Sequence, residues 1–134
     1  MYKHTVQYYE TDKMGITHHS NYIRWMEEAR VNFLEELGYS YDRLEKEGII
    51  SPVVSVNCDY KKTSTFSDEI TINVKIVEFK GIKLILEYEM RNQCDEIVCS
   101  ANSTHCFLDM SGKPVRLNKE YPEFVEALNK AMEN

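Results

Sequence analysis

The chain has 134 residues, 43% apolar and 28% charged, a balance that fits one globular domain and excludes collagen-like, low-complexity and disordered readings. Sixteen Lys and Arg against 22 Asp and Glu leave a net charge of −6, which argues against a nucleic-acid binder, since such domains carry a basic face. No apolar run approaches the roughly 18 residues of a membrane span, and the opening residues lack the basic-then-apolar order of a signal peptide, so a cytoplasmic location is expected.

In chain order, the first predicted element is a short strand over residues 2–8, where Tyr2, His4 and Val6 alternate with Lys3, Thr5 and Gln7. A polar loop over 10–21 follows, holding Gly15 and the adjacent His18 and His19. Tyr22, Trp25, Met26, Ala29, Phe33 and Leu37 then recur at the spacing of one buried helical face, with Arg24, Glu27, Glu28, Val31 and Glu35 on the other side. Ser20 or Asn21 supplies an N-cap and Gly38 a C-terminal stop. A second helix is predicted over 41–47, capped by Ser40 and ended by Gly48.

From Ser51 the period changes to alternation. Val54, Val56, Cys58 and Tyr60 mark one strand, and Ile70, Ile72, Val74 and Ile76 the next. Lys80-Gly81 forms a hairpin turn, and Leu84, Leu86, Tyr88 and Met90 a third long strand. Residues 92–95 turn again, 97–108 form the fourth long strand, and Ser111-Gly112-Lys113-Pro114 closes it. Residues 121–132 read as a short amphipathic helix. Cys58, Cys94, Cys99 and Cys106 include no C-x-x-C pair, so all four are expected to be buried or half-buried free thiols and no zinc site is implied.

Residues 1–134 therefore read as a single α+β domain. An antiparallel sheet of about five strands must cover its apolar face, and the long helix is the one element large enough. A curved sheet wrapped around a long central helix is the hotdog fold, whose usual minimal unit is a dimer. Ile85, Val98 and Cys106, assigned to the outer face, point the same way.

The chemistry concentrates where the loop meets the long helix. A helix start presents backbone N–H groups without intrahelical partners, together with partial positive charge. Such donors can hold a polarised carbonyl oxygen. Asp12 lies on the incoming loop and Gly15 lets that loop turn, so a carboxylate could face the carbonyl. Asp12 would serve as nucleophile or as general base on water. Each residue alone has a plainer reading: a turn aspartate, surface histidines, a packing tyrosine at Tyr8. Their combined spacing favours chemistry.

That spacing, Tyr8-x-x-Thr11-Asp12-x-x-Gly15 followed after six residues by Tyr22 and then by Trp25, Glu27 and Ala29-Arg30, resembles the signature of the 4-hydroxybenzoyl-CoA thioesterase family. Within it, the chain is most similar to the bacterial acyl-CoA thioesterases associated with the Tol-Pal system, over about residues 2–125. The resemblance implies hydrolysis of a small or medium acyl-CoA to the free acid and coenzyme A. It implies Asp12 as the catalytic aspartate and the backbone N–H at His19 as the group that polarises the thioester, with the His19 and Tyr8 side chains also implicated. Gly15, His18 and Tyr22 would border the substrate, and Glu27 and Arg30 would form an i,i+3 ion pair. Lys61 and Lys62, with Lys113 and Arg116 as further candidates, would meet the coenzyme A phosphates. Coenzyme A is part of the substrate, so no cofactor is implied, nor a metal; the expected assembly is a homodimer or homotetramer.

Other constellations find no support. There is no G-x-S-x-G elbow, P-loop or G-x-G-x-x-G. His4, His18, His19 and His105 lack zincin spacing, and Cys106 beside His105 would point to the opposite sheet face. A hotdog hydratase or dehydratase fits poorly with the Asp12–His19 spacing, and a non-catalytic acyl-thioester-binding domain has no need of Asp12.

Overall fold

The apolar stripe at three-and-four spacing does form a long helix, α1, over Ser20–Glu36. The computed structural model describes residues 1–133. In it, α1 buries Tyr22, Trp25, Met26, Ala29 and Leu34; Phe33 and Leu37, predicted on that stripe, are only half-buried. Gly38 ends the helix with φ +88°. Its N–H donates to the Glu35 carbonyl and the Tyr39 N–H to the Leu34 carbonyl, both at 2.9 Å, the paired bonds of a Schellman cap that a left-handed glycine permits.

The start of α1 departs from expectation. Neither Ser20 nor Asn21 caps it: His19 holds the cap position with no side-chain bond. The His18 imidazole takes that role, Nδ1 accepting the Ser20 N–H at 3.3 Å and pairing with Ser20 Oγ at 2.9 Å. Asn21 instead donates its side-chain amide to the Glu10 carbonyl at 2.9 Å. The first strand, β1, spans only Tyr2–Thr5, because residues 8–10 wind into a 3-10 turn. The second helix, α2, runs Tyr41–Lys46, its Arg43 N–H donating to Ser40 Oγ as predicted.

Strands β2 (Val53–Tyr60), β3 (Glu69–Phe79), β4 (Lys83–Arg91) and β5 (Ile97–Cys106) complete the sheet. Its order is β1-β3-β4-β5-β2, antiparallel throughout. The consecutive run thus holds only for β3, β4 and β5, while β2 crosses to the far edge and pairs with β5, Cys58 opposite Ala101. Ile70, Ile72, Ile76, Leu84, Leu86, Tyr88 and Met90 are buried with α1. Asn73, Lys75, Glu87, Glu89 and Asn102 face outward and are exposed, the alternation of a sheet with one solvated face.

Val98 corrects the expected outer face. It sits where the β4–β5 register shifts and is fully buried, whereas Ile85 and Cys106 are half-buried. Cys94 is another correction, exposed in the β4–β5 turn; Cys58 and Cys106 are half-buried and Cys99 buried, all without disulfides. After a short α3 (Leu117–Glu120), α4 (Pro122–Glu133) starts at a proline, which suits a first helical position. It buries Phe124 against Tyr39 and Phe107, with ring centroids 4.7 and 5.7 Å apart. Strand β2 is the exception to this packing: Val53, Val54, Val56 and Tyr60 are 50%, 55%, 39% and 47% exposed on an edge with no second neighbour. Among the described residues no helix is long and apolar enough to cross a membrane.

Candidate active site

The loop entering α1 is anchored by a residue no motif singled out. Glu10 is 4% exposed. Its Oε1 accepts the Gln7 N–H at 2.8 Å and pairs with His4 Nε2 at 2.8 Å, while Oε2 accepts the Trp25 indole N–H at 2.7 Å. The Glu10 carbonyl accepts the His18 N–H and the Asn21 amide. One residue thereby ties β1, the 3-10 turn and the start of α1 together. Burial pushes its carboxyl pKa up, but the bonds from Gln7, His4 and Trp25 outweigh that and hold it below the ordinary value. The one sequence signal was the Gln7-x-x-Glu10 capping box.

Beyond Glu10 the chain closes a tight loop on Asp12. The Asp12 N–H donates to the Ile16 carbonyl, the Gly15 N–H to the Asp12 carbonyl, and the Met14 N–H to Asp12 Oδ1 at 2.8 Å. Gly15 has φ +79°, where a side chain would be strained. Asp12 is thus a turn residue, as its plain reading held. It also keeps Oδ2 without a donor among the described residues and stays half-buried. Residues 64 and 65 clamp the loop from outside: Thr17 N–H donates to the Ser64 carbonyl, and Thr65 Oγ1 to the Gly15 carbonyl at 2.7 Å. Ser64 Oγ also meets Thr17 Oγ1 at 2.7 Å and the Tyr22 hydroxyl at 2.9 Å, and burial raises the Tyr22 pKa, so the phenol is neutral.

Asp12, Thr17, His19, Tyr22, Tyr60 and Lys61 line one cleft of about 410 Å³. The expected set of free helix amides shrinks to a single donor. The Ser20 and Asn21 N–H groups both turn back onto His18, which leaves the His19 N–H without an acceptor among the described residues. The His19 carbonyl accepts the Tyr60 hydroxyl at 3.2 Å. Tyr60, which the sequence did not mark as functional, also sets its ring edge-on to His19 and Tyr22, with centroids 6.2 and 5.1 Å away. A free amide and a half-buried carboxylate in one cleft can polarise a carbonyl and activate an attacking oxygen.

Not every predicted residue converges there. His18 is exposed and stacked on His19 at 4.3 Å, and its Nδ1 is engaged by Ser20. Tyr8 is 75% exposed, packs edge-on against Phe66 and does not line the cleft. Lys61 and Lys62 reach the cleft by donating both backbone N–H groups to the Val98 carbonyl. The Lys62 ammonium pairs with Glu96. Lys113 and Arg116 lie beyond β5, outside the cleft, the Lys113 N–H bound to Asp109. The Glu27–Arg30 ion pair is absent: Arg30 turns inward to 5% exposure, over the Tyr41 ring at 5.2 Å, while Glu27 stays exposed.

A five-stranded antiparallel sheet packed on one long helix, with its cleft at the helix start, defines a hotdog-fold thioester hydrolase. The chain belongs to the thioesterase-like superfamily, whose profile matches residues 6–128. It is 37% identical over 127 residues to YneP of Bacillus subtilis (strain 168), a provisionally named acyl-CoA thioesterase, covering 94% of this chain and 92% of that one. The acyl-CoA thioesterase YbgC of Haemophilus influenzae is 29% identical over 89 residues, 65% of each chain. The DHNA-CoA thioesterase of Staphylococcus aureus superposes with a TM-score of 0.93 at 32% identity, covering 98% of this chain and 89% of that one.

Proposed function

We propose that the protein hydrolyses the thioester of a small or medium acyl-CoA, releasing the free acid and coenzyme A. The observation that supports this reading is that His19, whose N–H has no acceptor among the described residues, and the half-buried Asp12 line the same cleft. The thioester oxygen accepts the His19 N–H, which draws electron density from the carbonyl carbon. As general base, Asp12 takes a proton from a water whose oxygen bonds to that carbon. The C–S bond then breaks and the thiolate recovers the proton. As nucleophile, an Asp12 oxygen adds to the carbon and expels the thiolate, and water cleaves the resulting anhydride. Both routes balance, and both need the same two groups.

Lys61 is the better candidate for a coenzyme A phosphate, because Glu96 already neutralises Lys62. Tyr8 and His18 are assigned to the entrance, and Gly15 to shaping the loop. Coenzyme A enters as substrate, so the reaction calls for no cofactor, and a cytoplasmic location suits such an ester. Within the superfamily we place the chain in the 4-hydroxybenzoyl-CoA thioesterase family, toward its Tol-Pal-associated branch, on the Tyr8–Asp12–Gly15–His19 spacing. The working unit is a homodimer joined through β2, whose unpaired, valine-rich edge is a template for a second copy.

The test is thiol release across straight-chain, branched and aromatic acyl-CoAs. Asp12→Asn is expected to lower kcat about 10²–10⁴-fold, the usual worth of a positioned acid–base group, with an unchanged circular dichroism spectrum. Near-wild-type turnover by that variant on every substrate would overturn the reading.

A further inference from the structure

The α1 helix and strand β2 share one seam. At its near end His19 and Tyr22 meet Tyr60. In the middle, Met26 Sδ and Cys58 Sγ touch at 3.5 Å. At the far end Arg30, Tyr41, Ser51 and Val53 surround a second cleft of about 270 Å³. From His19 to Arg30 the helix rises about 16 Å, at 1.5 Å per residue.

The far cleft has an unsatisfied wall. Arg30 is 5% exposed, and among the described residues its guanidinium meets no carboxylate within 4 Å. Its neighbour is the Tyr41 ring, whose hydroxyl is buried without a partner. His105, 1% exposed, bonds through Nε2 to Ser103 Oγ at 2.6 Å and keeps a buried, unpartnered Nδ1. Burial and the Arg30 charge push its pKa down to about 4, so it is a neutral ring near that guanidinium. A planar guanidinium is matched best by a carboxylate. Glu27 and Glu45 do not answer it. Both line the same cleft and are exposed, beyond ion-pair distance of the guanidinium.

We propose that this far cleft is an acyl subsite in which Arg30 and the Tyr41 hydroxyl receive a carboxylate at the distal end of the acyl chain, so that dicarboxylyl-CoA esters are the preferred substrates. The inference rests on the thioesterase reading for the near end of the seam. Methylenes lie along the apolar middle, where Met26, unbranched and adaptable, yields to the chain.

The test compares matched esters long enough for the seam, decanoyl- with sebacoyl-CoA and dodecanoyl- with dodecanedioyl-CoA, by kcat/KM and by calorimetric titration of Asp12→Asn. In at least one pair the dicarboxylyl ester is expected to be preferred about tenfold or more, the size of a hydrogen bond to a charged group. Arg30→Met should lower that ratio at least tenfold. Tyr41→Phe, which removes only the hydroxyl and should fold well, should lower it several-fold. Glu27→Gln should raise it. Equal use of both esters in both pairs, or an equal loss on both members in Arg30→Met and Tyr41→Phe, would overturn the proposal. A wild-type protein that hydrolyses none of the four leaves titration to decide the subsite, while the wider acyl-CoA panel decides the thioesterase reading. Tighter dicarboxylyl binding then upholds it, and equal binding refutes it. Free sebacate binding as tightly as sebacoyl-CoA would assign the cleft to a free anion and refute the acyl subsite.

Discussion

Replacing Glu10 tests the anchoring of the active-site loop. In Glu10→Ala the Trp25 indole, the Gln7 amide and the His4 ring lose their acceptor. A buried donor left unsatisfied costs about 1–3 kcal/mol, and removing one member of a buried pair about 3–5 kcal/mol. Because the Gln7 and His4 bonds are only part-buried, the expected loss is about 4 kcal/mol, a large share of the roughly 5–15 kcal/mol of a typical domain. Glu10→Gln keeps the shape and one acceptor oxygen and should lose about half of that. The assay is urea unfolding followed by the emission of Trp25, the one tryptophan, which touches Glu10 directly. The midpoint should fall while the slope m stays constant. A pH signature accompanies it. Because the folded pKa lies below the ordinary 4.5, the wild type holds this stability above that value and loses it as pH falls through the folded pKa, a component that Glu10→Gln lacks. A loss under about 1 kcal/mol in Glu10→Ala would refute the assignment of Glu10 as the anchor of this loop.

Three further outcomes are expected. His19→Ala keeps the backbone amide, so its kcat should fall far less than that of Asp12→Asn; an equal loss would give the imidazole a chemical role. His105, depressed to about 4 from 6.5, leaves the unfolded chain binding a proton in that interval that the native ring refuses. Stability should therefore drop by up to about 3 kcal/mol as pH falls from 6.5 to 4, with a flatter slope in His105→Gln, read from urea melts across that range. Lysines at Val54 and Val56 together should block edge pairing of β2, turning a sedimenting dimer into a monomer and abolishing turnover. A wild type that sediments as a monomer with full activity would reject the dimeric site.

How much of this was legible depends on how local each feature is. The Gly38 stop, the Ser40 cap and the alternation of β3 and β4 involve neighbours within a few residues, and each formed as its residues predicted. Asp12 and Gly15 were legible as a turn for the same reason. Features that depend on a distant partner were not. Alternation marked β2 as a strand but could not say that it would cross to the edge beside β5. The β4–β5 register shift hid the burial of Val98. Helix spacing offered Glu27 to Arg30, and a tyrosine eleven positions along the chain drew the guanidinium inward instead.

By itself the sequence determined which segments are helix or strand, which faces are apolar, and where an aspartate-bearing loop meets a long helix. Periodicity and turn chemistry are properties of neighbouring residues, so they survive without the fold. Which amide at that helix start stays free was a local outcome, since His18 takes those of Ser20 and Asn21, but what faces it was decided only by the tertiary structure. It alone brought Tyr60 and Lys61 from the far edge strand to Asp12. It also turned Arg30 inward, with no carboxylate within 4 Å among the described residues. These outcomes depend on side chains competing for partners across the core, and that competition has no period along the chain.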